Sequence, residues 1–75
     1  MEHYANLGGI SGVNEYEVGS DFIRVVFKDG SVYLYTYSSA GSQAIEHMKK
    51  LARQGHGLNS YISTTVRKAY AKKER

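Results

Sequence analysis

The segment Lys28-Asp29-Gly30-Ser31-Val32-Tyr33-Leu34-Tyr35-Thr36-Tyr37 constrains this chain more than any other. Asp-Gly is turn chemistry, and the residues after it read as a strand with a tyrosine at every second position. Side chains alternate faces along a strand, so Tyr33, Tyr35 and Tyr37 are expected to share one face. Before the turn, Phe22 to Phe27 is dense in β-branched and aromatic residues, with Ile23, Val25 and Phe27 on one face.

Two turn geometries fit these residues, and they differ in consequence. A two-residue Asp29-Gly30 loop of type I′ pairs Lys28 with Ser31 and leaves the tyrosines opposite Ile23, Val25 and Phe27. A three-residue loop, Lys28-Asp29-Gly30, puts Gly30 in the left-handed position of a G1 bulge and pairs Phe27 with Ser31. That register gathers Ile23, Val25, Phe27, Tyr33, Tyr35 and Tyr37 on one face. The bulged turn is favoured because a small domain needs its large aromatics in a single core layer.

Upstream, Tyr16 and Val18 alternate with Glu15 and Glu17 between Val13 and Val18, as in a strand with one wet face. Gly19-Ser20-Asp21 then turns the chain into Phe22–Phe27. After Ser38-Ser39-Ala40-Gly41-Ser42 the period changes to that of a helix. Ala44, Ile45, Met48, Leu51 and Ala52 fall on one stripe, with Glu46, Lys49, Lys50 and Arg53 outside it. Glu46 and Lys50 form an i, i+4 pair in the favourable order, and Gly55 ends the helix. A second helix starts near Gly57-Leu58-Asn59-Ser60 with Asn59 or Ser60 as N-cap, and buries Ile62, Thr65, Val66, Ala69 and Tyr70. Its Ile62-Ser63-Thr64-Thr65-Val66 run has poor helix propensity, so packing must hold it.

The expected fold is α+β: a three-stranded antiparallel β-meander with two C-terminal α-helices packed on one face. Residues 1–12 read as a flexible lead-in, 13–71 as a single domain, and 72–75 as a frayed basic tail. At 75 residues and 41% hydrophobic, the chain is one small globular domain. It has no cysteine, so disulfides and thiolate zinc sites are excluded. No apolar run reaches the roughly 18 residues of a membrane span, and Met1-Glu2-His3-Tyr4 lacks the features of a signal peptide. A cytoplasmic protein is the expectation.

The net charge of +3 hides an asymmetry: residues 1–37 sum to −3 and residues 38–75 to +6. A basic half is the footprint of a polyanion binder, although Lys and Arg also simply solvate amphipathic helices. Gly8-Gly9 and Gly55-His56-Gly57 lack the strand-to-helix context of a phosphate loop. His3, His47 and His56 have no metal-ligand spacing, and the seven carboxylates suggest no acid/base pair. No nucleophile elbow surrounds any serine. Neither a catalytic residue, a metal nor a cofactor is expected.

Aromatics interleaved with cations are present. Single-stranded bases stack on aromatic rings while Lys and Arg follow the phosphates. Tyr33, Tyr35, Tyr37, Tyr61 and Tyr70, with Lys49, Lys50, Arg53, Arg67, Lys68, Lys72 and Lys73, supply both ingredients, although strand tyrosines also serve as core-edge residues. The candidate nucleic-acid-binding residues are Lys49, Lys50, Arg53, Arg67, Lys68 and Tyr61. Tyr33, Tyr35, Gly30, Phe27 and Asn59 form the candidate structural motif.

From about Val13 to Tyr70 the pattern resembles the KTSC domain, found at the C-terminus of some lysyl-tRNA synthetases and as stand-alone bacterial proteins. The resemblance is carried by Ile23-x-Val25-x-Phe27, the Gly30 turn, Tyr33-Leu34-Tyr35 and Gly57-Leu58-Asn59-Ser60-Tyr61-Ile62. The last segment departs from the family pattern at Leu58, where an aromatic is usual, and at Ser63, where a basic residue is usual. The resemblance implies a small accessory module and an RNA partner, tRNA-like or single-stranded. The alternative is a protein-interaction or homodimerising module whose sheet face or edge meets a partner.

Overall fold

In the computed structural model, which describes residues 2–5 and 12–75, the hairpin turn takes the bulged form. The Phe27 amide donates to the Ser31 carbonyl at 2.8 Å, and the Gly30 amide donates to the Phe27 carbonyl at 3.0 Å. Gly30 has φ +92°, a conformation that L side chains rarely adopt. Asp29 fixes the loop from within, its Oδ1 accepting from the Ser31 amide at 2.9 Å and the Ser31 hydroxyl at 2.6 Å. Val25 therefore faces Tyr33 and Ile23 faces Tyr35, which puts apolar strand residues and tyrosines on one face.

The sheet has five antiparallel strands in sequence order: β1 Glu2–His3, β2 Val13–Val18, β3 Phe22–Phe27, β4 Val32–Thr36 and β5 Lys72–Lys73. The helices are α1 Tyr37–Ala40, α2 Ser42–Gln54 and α3 Leu58–Thr64. The α+β class and the central meander match the sequence reading. The counts do not, because two edge strands and the short α1 are additional.

The edge strands arise from segments that read as loose ends. Glu2 and His3 pair with Tyr16 and Glu15, and Tyr4 beyond them is buried in the core, where its hydroxyl accepts from the Leu58 amide at 3.3 Å. That bond satisfies one of the amides left open at the start of α3. The expected lead-in is thus partly strand; its residues 6–11 lie outside the described residues. At the other end, Lys72 and Lys73 pair with Leu34 and Tyr33. The Ala71 amide donates to Leu34 O and the Glu74 amide to Val32 O, both at 2.7 Å. Glu74 reaches Arg24 Nε at 2.5 Å, and Arg24 also pairs with Glu17. The segment expected to fray is therefore tied to β4 by a backbone ladder and to β3 by an ion pair.

Tyr37 does not continue the strand. Thr36 caps α1 through a reciprocal box, its side chain accepting from the Ser39 amide at 3.1 Å while Ser39 Oγ accepts from the Thr36 amide at 3.0 Å. Tyr37 consequently leaves the tyrosine row and is 37% exposed. Helix α2 buries Ile45, Met48 and Ala52 against Ile23, Val25 and Tyr35, and ends at left-handed Gly55.

The second expected helix is shorter than its apolar pattern implied. Its N-cap is Gly57, not Asn59 or Ser60, and it stops at Thr64. Ser63 Oγ donates to the Asn59 carbonyl at 2.9 Å and Thr64 Oγ1 to the Ser60 carbonyl at 2.7 Å. Such side-chain bonds, together with the β-branched run, weaken helix continuation. Val66 still enters the core, from a turn, and the chain swings Tyr70 back onto the sheet.

Candidate nucleic-acid interface

An open groove of about 660 Å³ lies between the β3–β4 hairpin and the segment from Ile62 to Tyr70. Phe27, Tyr33, Tyr35 and Tyr70 supply its aromatic surface, and Lys28, Arg67 and Lys68 its cations. Asp29 is the single carboxylate that lines it among the described residues. Three cations against one carboxylate give the groove a preference for anions.

The aromatic surface is a connected set. Phe27 meets Tyr33 edge-on with centroids 5.6 Å apart, Tyr33 meets Tyr70 at 4.9 Å, and Tyr70 meets Tyr35 at 6.3 Å. The T-shaped arrangement suits the ring quadrupoles and holds the four rings in fixed orientation. Lys73 of β5 places its ammonium 5.7 Å from the Tyr33 ring centre, within cation–π range. Tyr35 is 1% exposed, and its burial, with the nearby Tyr33 and Tyr70 phenols, pushes its hydroxyl up to about 12. None of the three phenols makes a hydrogen bond among the described residues. Asp29 is held below the usual carboxylate range by its bonds from Ser31, so it stays charged while it locks the turn.

Of the residues singled out from sequence, Arg67, Lys68, Phe27, Tyr33 and Tyr35 meet at this groove. Arg67 and Lys68 are exposed and form no ion pair among the described residues. Gly30 shapes the adjacent turn. Asn59 does not line the groove, but its Oδ1 approaches the lining residue Gly12, 3.7 Å from where a Cβ there would sit. Lys50 and Arg53 are exposed on α2 and do not line the groove. Tyr61 does not line it either; its half-buried ring lies 4.7 Å from His47.

Lys49 is a correction. The helical pattern puts it on the wet face, yet it is only 4% exposed. Its ammonium donates to the Ser20 carbonyl at 3.0 Å and to Glu46 Oε2 at 2.8 Å, and lies 5.6 Å from the Tyr37 ring centre. The Tyr37 hydroxyl donates to the same Glu46 oxygen at 2.5 Å. Glu46 thus pairs with Lys49, not with Lys50 as its i, i+4 spacing implied. Those bonds hold the Glu46 carboxyl below its usual range and raise the Tyr37 phenol. Lys49 ties α2 to the β2–β3 turn and is not available to phosphate.

Sequence reasoning missed Lys28 as a site residue and left Tyr70 in a helix. Lys28 carries no local signal beyond preceding a turn, and only the hairpin register brings it beside Arg67 and Lys68. Among the described residues no group of three or more His, Asp or Glu side chains could hold a metal ion. No described helix is long and apolar enough to cross a membrane. No family model, curated protein or solved structure matches the chain.

Proposed function

We propose that this domain is a small non-enzymatic RNA-binding module that contacts phosphates with Lys28, Arg67 and Lys68. The observation that carries the reading is the groove itself, in which exposed cations with no ion pair among the described residues border four aromatic rings. Phosphate contacts need cations free of carboxylate partners, and aromatic surface beside them suits unstacked bases. Lys50 and Arg53 add positive potential from α2. Kinship with KTSC domains is part of this proposal; it rests on the short motifs quoted above and supports RNA as the polyanion.

The test is the salt dependence of tRNA binding. Neutralising three phosphates gives a log–log slope of about −2, taking roughly −0.7 per single-strand contact. Replacing Arg67 and Lys68 with Gln should flatten that slope. Binding that is salt-insensitive, or equal in the double variant, contradicts the reading.

A second reading draws on the opposite sheet face. There Phe22, Val26 and Leu34 are half-buried, while the helical core residues all join the other face. A protein partner or second copy covering that face would make this an interaction module. Light scattering that shows a dimer at micromolar concentration, with no RNA binding, would favour it.

A further inference from the structure

The groove's shape and its polar groups bear on which form of RNA it takes, an inference that rests on the RNA reading above. A duplex presents stacked bases and a phosphate ridge, and its base faces cannot enter a groove between a hairpin and the chain segment beside it. This groove is a recess, with Tyr35 as a buried part of its wall and Ile62 adding apolar surface from α3. Its volume of about 660 Å³ falls within the range of small-molecule sites, enough for one nucleotide unit with room for flanking backbone.

The three phenols add a second, independent observation. Tyr33, Tyr35 and Tyr70 converge there and their hydroxyls spend no hydrogen bond on any described residue. No buried side-chain polar atom among the described residues lacks a partner, so these hydroxyls open onto the groove, where a phenol can both donate and accept. A nucleobase offers a matching set, a flat apolar face for the rings and a polar edge for the hydroxyls. Arg67 and Lys68 sit at the same groove, where the phosphates on either side of a seated base would pass.

We propose that the groove seats one unpaired base of single-stranded RNA, with its neighbouring phosphates on Arg67 and Lys68. Duplex RNA then binds only through surface charge. Lys73 already lies over the Tyr33 ring, so the base is seated by Tyr70 and Phe27.

The experiment is fluorescence anisotropy with the intact 75-residue chain and three labelled probes of equal charge per strand. These are a single-stranded octauridine, the same oligomer with every base removed, and an octamer duplex. The base should contribute about ten-fold or more in affinity, the scale of one base–aromatic contact, so the abasic strand should bind at least ten-fold more weakly. Tyr70→Phe, which keeps the ring and removes the hydroxyl, should weaken octauridine several-fold and leave the abasic strand unchanged. Equal affinity for the intact and abasic strands overturns the base-seating inference while leaving the RNA reading in place. Tighter binding of the duplex than of either single strand also overturns it. No binding of any probe at low salt overturns both. The abasic comparison needs no protein variant, so a misfolded mutant cannot blur the outcome.

Discussion

Arg67 and Lys68 on one side and Lys49 on the other are cations of the same basic half, and the fold uses them in opposite ways. Arg67 and Lys68 follow a helix that stops early, stay in water and form no ion pair among the described residues. Lys49 sits one position off the apolar stripe of α2, where its stem reaches the β2–β3 turn and its ammonium is consumed by Ser20 and Glu46. Long cationic side chains bury their stems readily when the head finds partners. A charge run is therefore a poor guide to availability: Lys49 belongs to the stability of the fold, Arg67 and Lys68 to its surface chemistry.

The largest expected effect lies in the layer both regions share. Tyr35→Ala should destabilise by about 3–4 kcal/mol, because the ring is fully buried among β3, α2 and Tyr70. Chemical denaturation with an unchanged m-value would measure it. A loss below 1 kcal/mol would mean that the tyrosine row is not core, and the contrast drawn above would lose its basis.

Lys49→Ala should come next, at about 2 kcal/mol, from a lost charge-assisted bond to a backbone carbonyl and lost packing of the stem. Arg67→Ala should change stability by less than about 0.5 kcal/mol, as for an exposed residue outside any network. Comparable losses for the two would erase the distinction between a structural and a surface cation.

A smaller effect is expected in alkali. The Tyr35 hydroxyl titrates near 12 in the fold, above its ordinary value near 10, so the folded state holds that proton more tightly. The associated stability is fully present below pH 10 and is lost as pH rises toward 12. Tyr35→Phe should flatten this alkaline limb and leave neutral stability nearly unchanged, since the hydroxyl has no hydrogen-bond partner among the described residues. At the acid end the carboxyls of Glu46 and Glu74 titrate below their ordinary range through bonds from Lys49 and Arg24. Their contribution is present above about pH 4.5 and fades as pH falls through the lowered values. Lys49→Ala should reduce the Glu46 part of that acid dependence, leaving the share held by the Tyr37 hydroxyl, and should leave the Glu74 part unchanged.

Much of the sheet was legible because its signals are local. The Asp29-Gly30 turn and the alternation of Ile23, Val25 and Phe27 with Tyr33 and Tyr35 specify a register, and a core's need for aromatic mass selects the bulged form. The edge strands carried no such signal: Glu2-His3 and Lys72-Lys73 are two residues each and polar, and only partner strands make them strands. The end of α3 is not legible because the apolar period continues through Tyr70, while Ser63 and Thr64 turn their hydroxyls onto the helix carbonyls. At the groove, Arg67, Lys68 and the tyrosines could be named from sequence. Their juxtaposition with Lys28 depends on a chain reversal between Val66 and Tyr70, which no periodicity announces.

The central claim is that the binding cations are those at the groove. The most direct measurement is tRNA affinity at low salt for Arg67→Gln/Lys68→Gln beside Lys50→Gln/Arg53→Gln, which removes the same charge from α2. The account predicts that the groove pair weakens binding at least about ten-fold and lowers the salt slope by roughly 1.4, at about −0.7 per lost contact. The α2 pair should have a smaller effect on both. Equal losses from the two pairs, or a larger loss from the α2 pair, would contradict it.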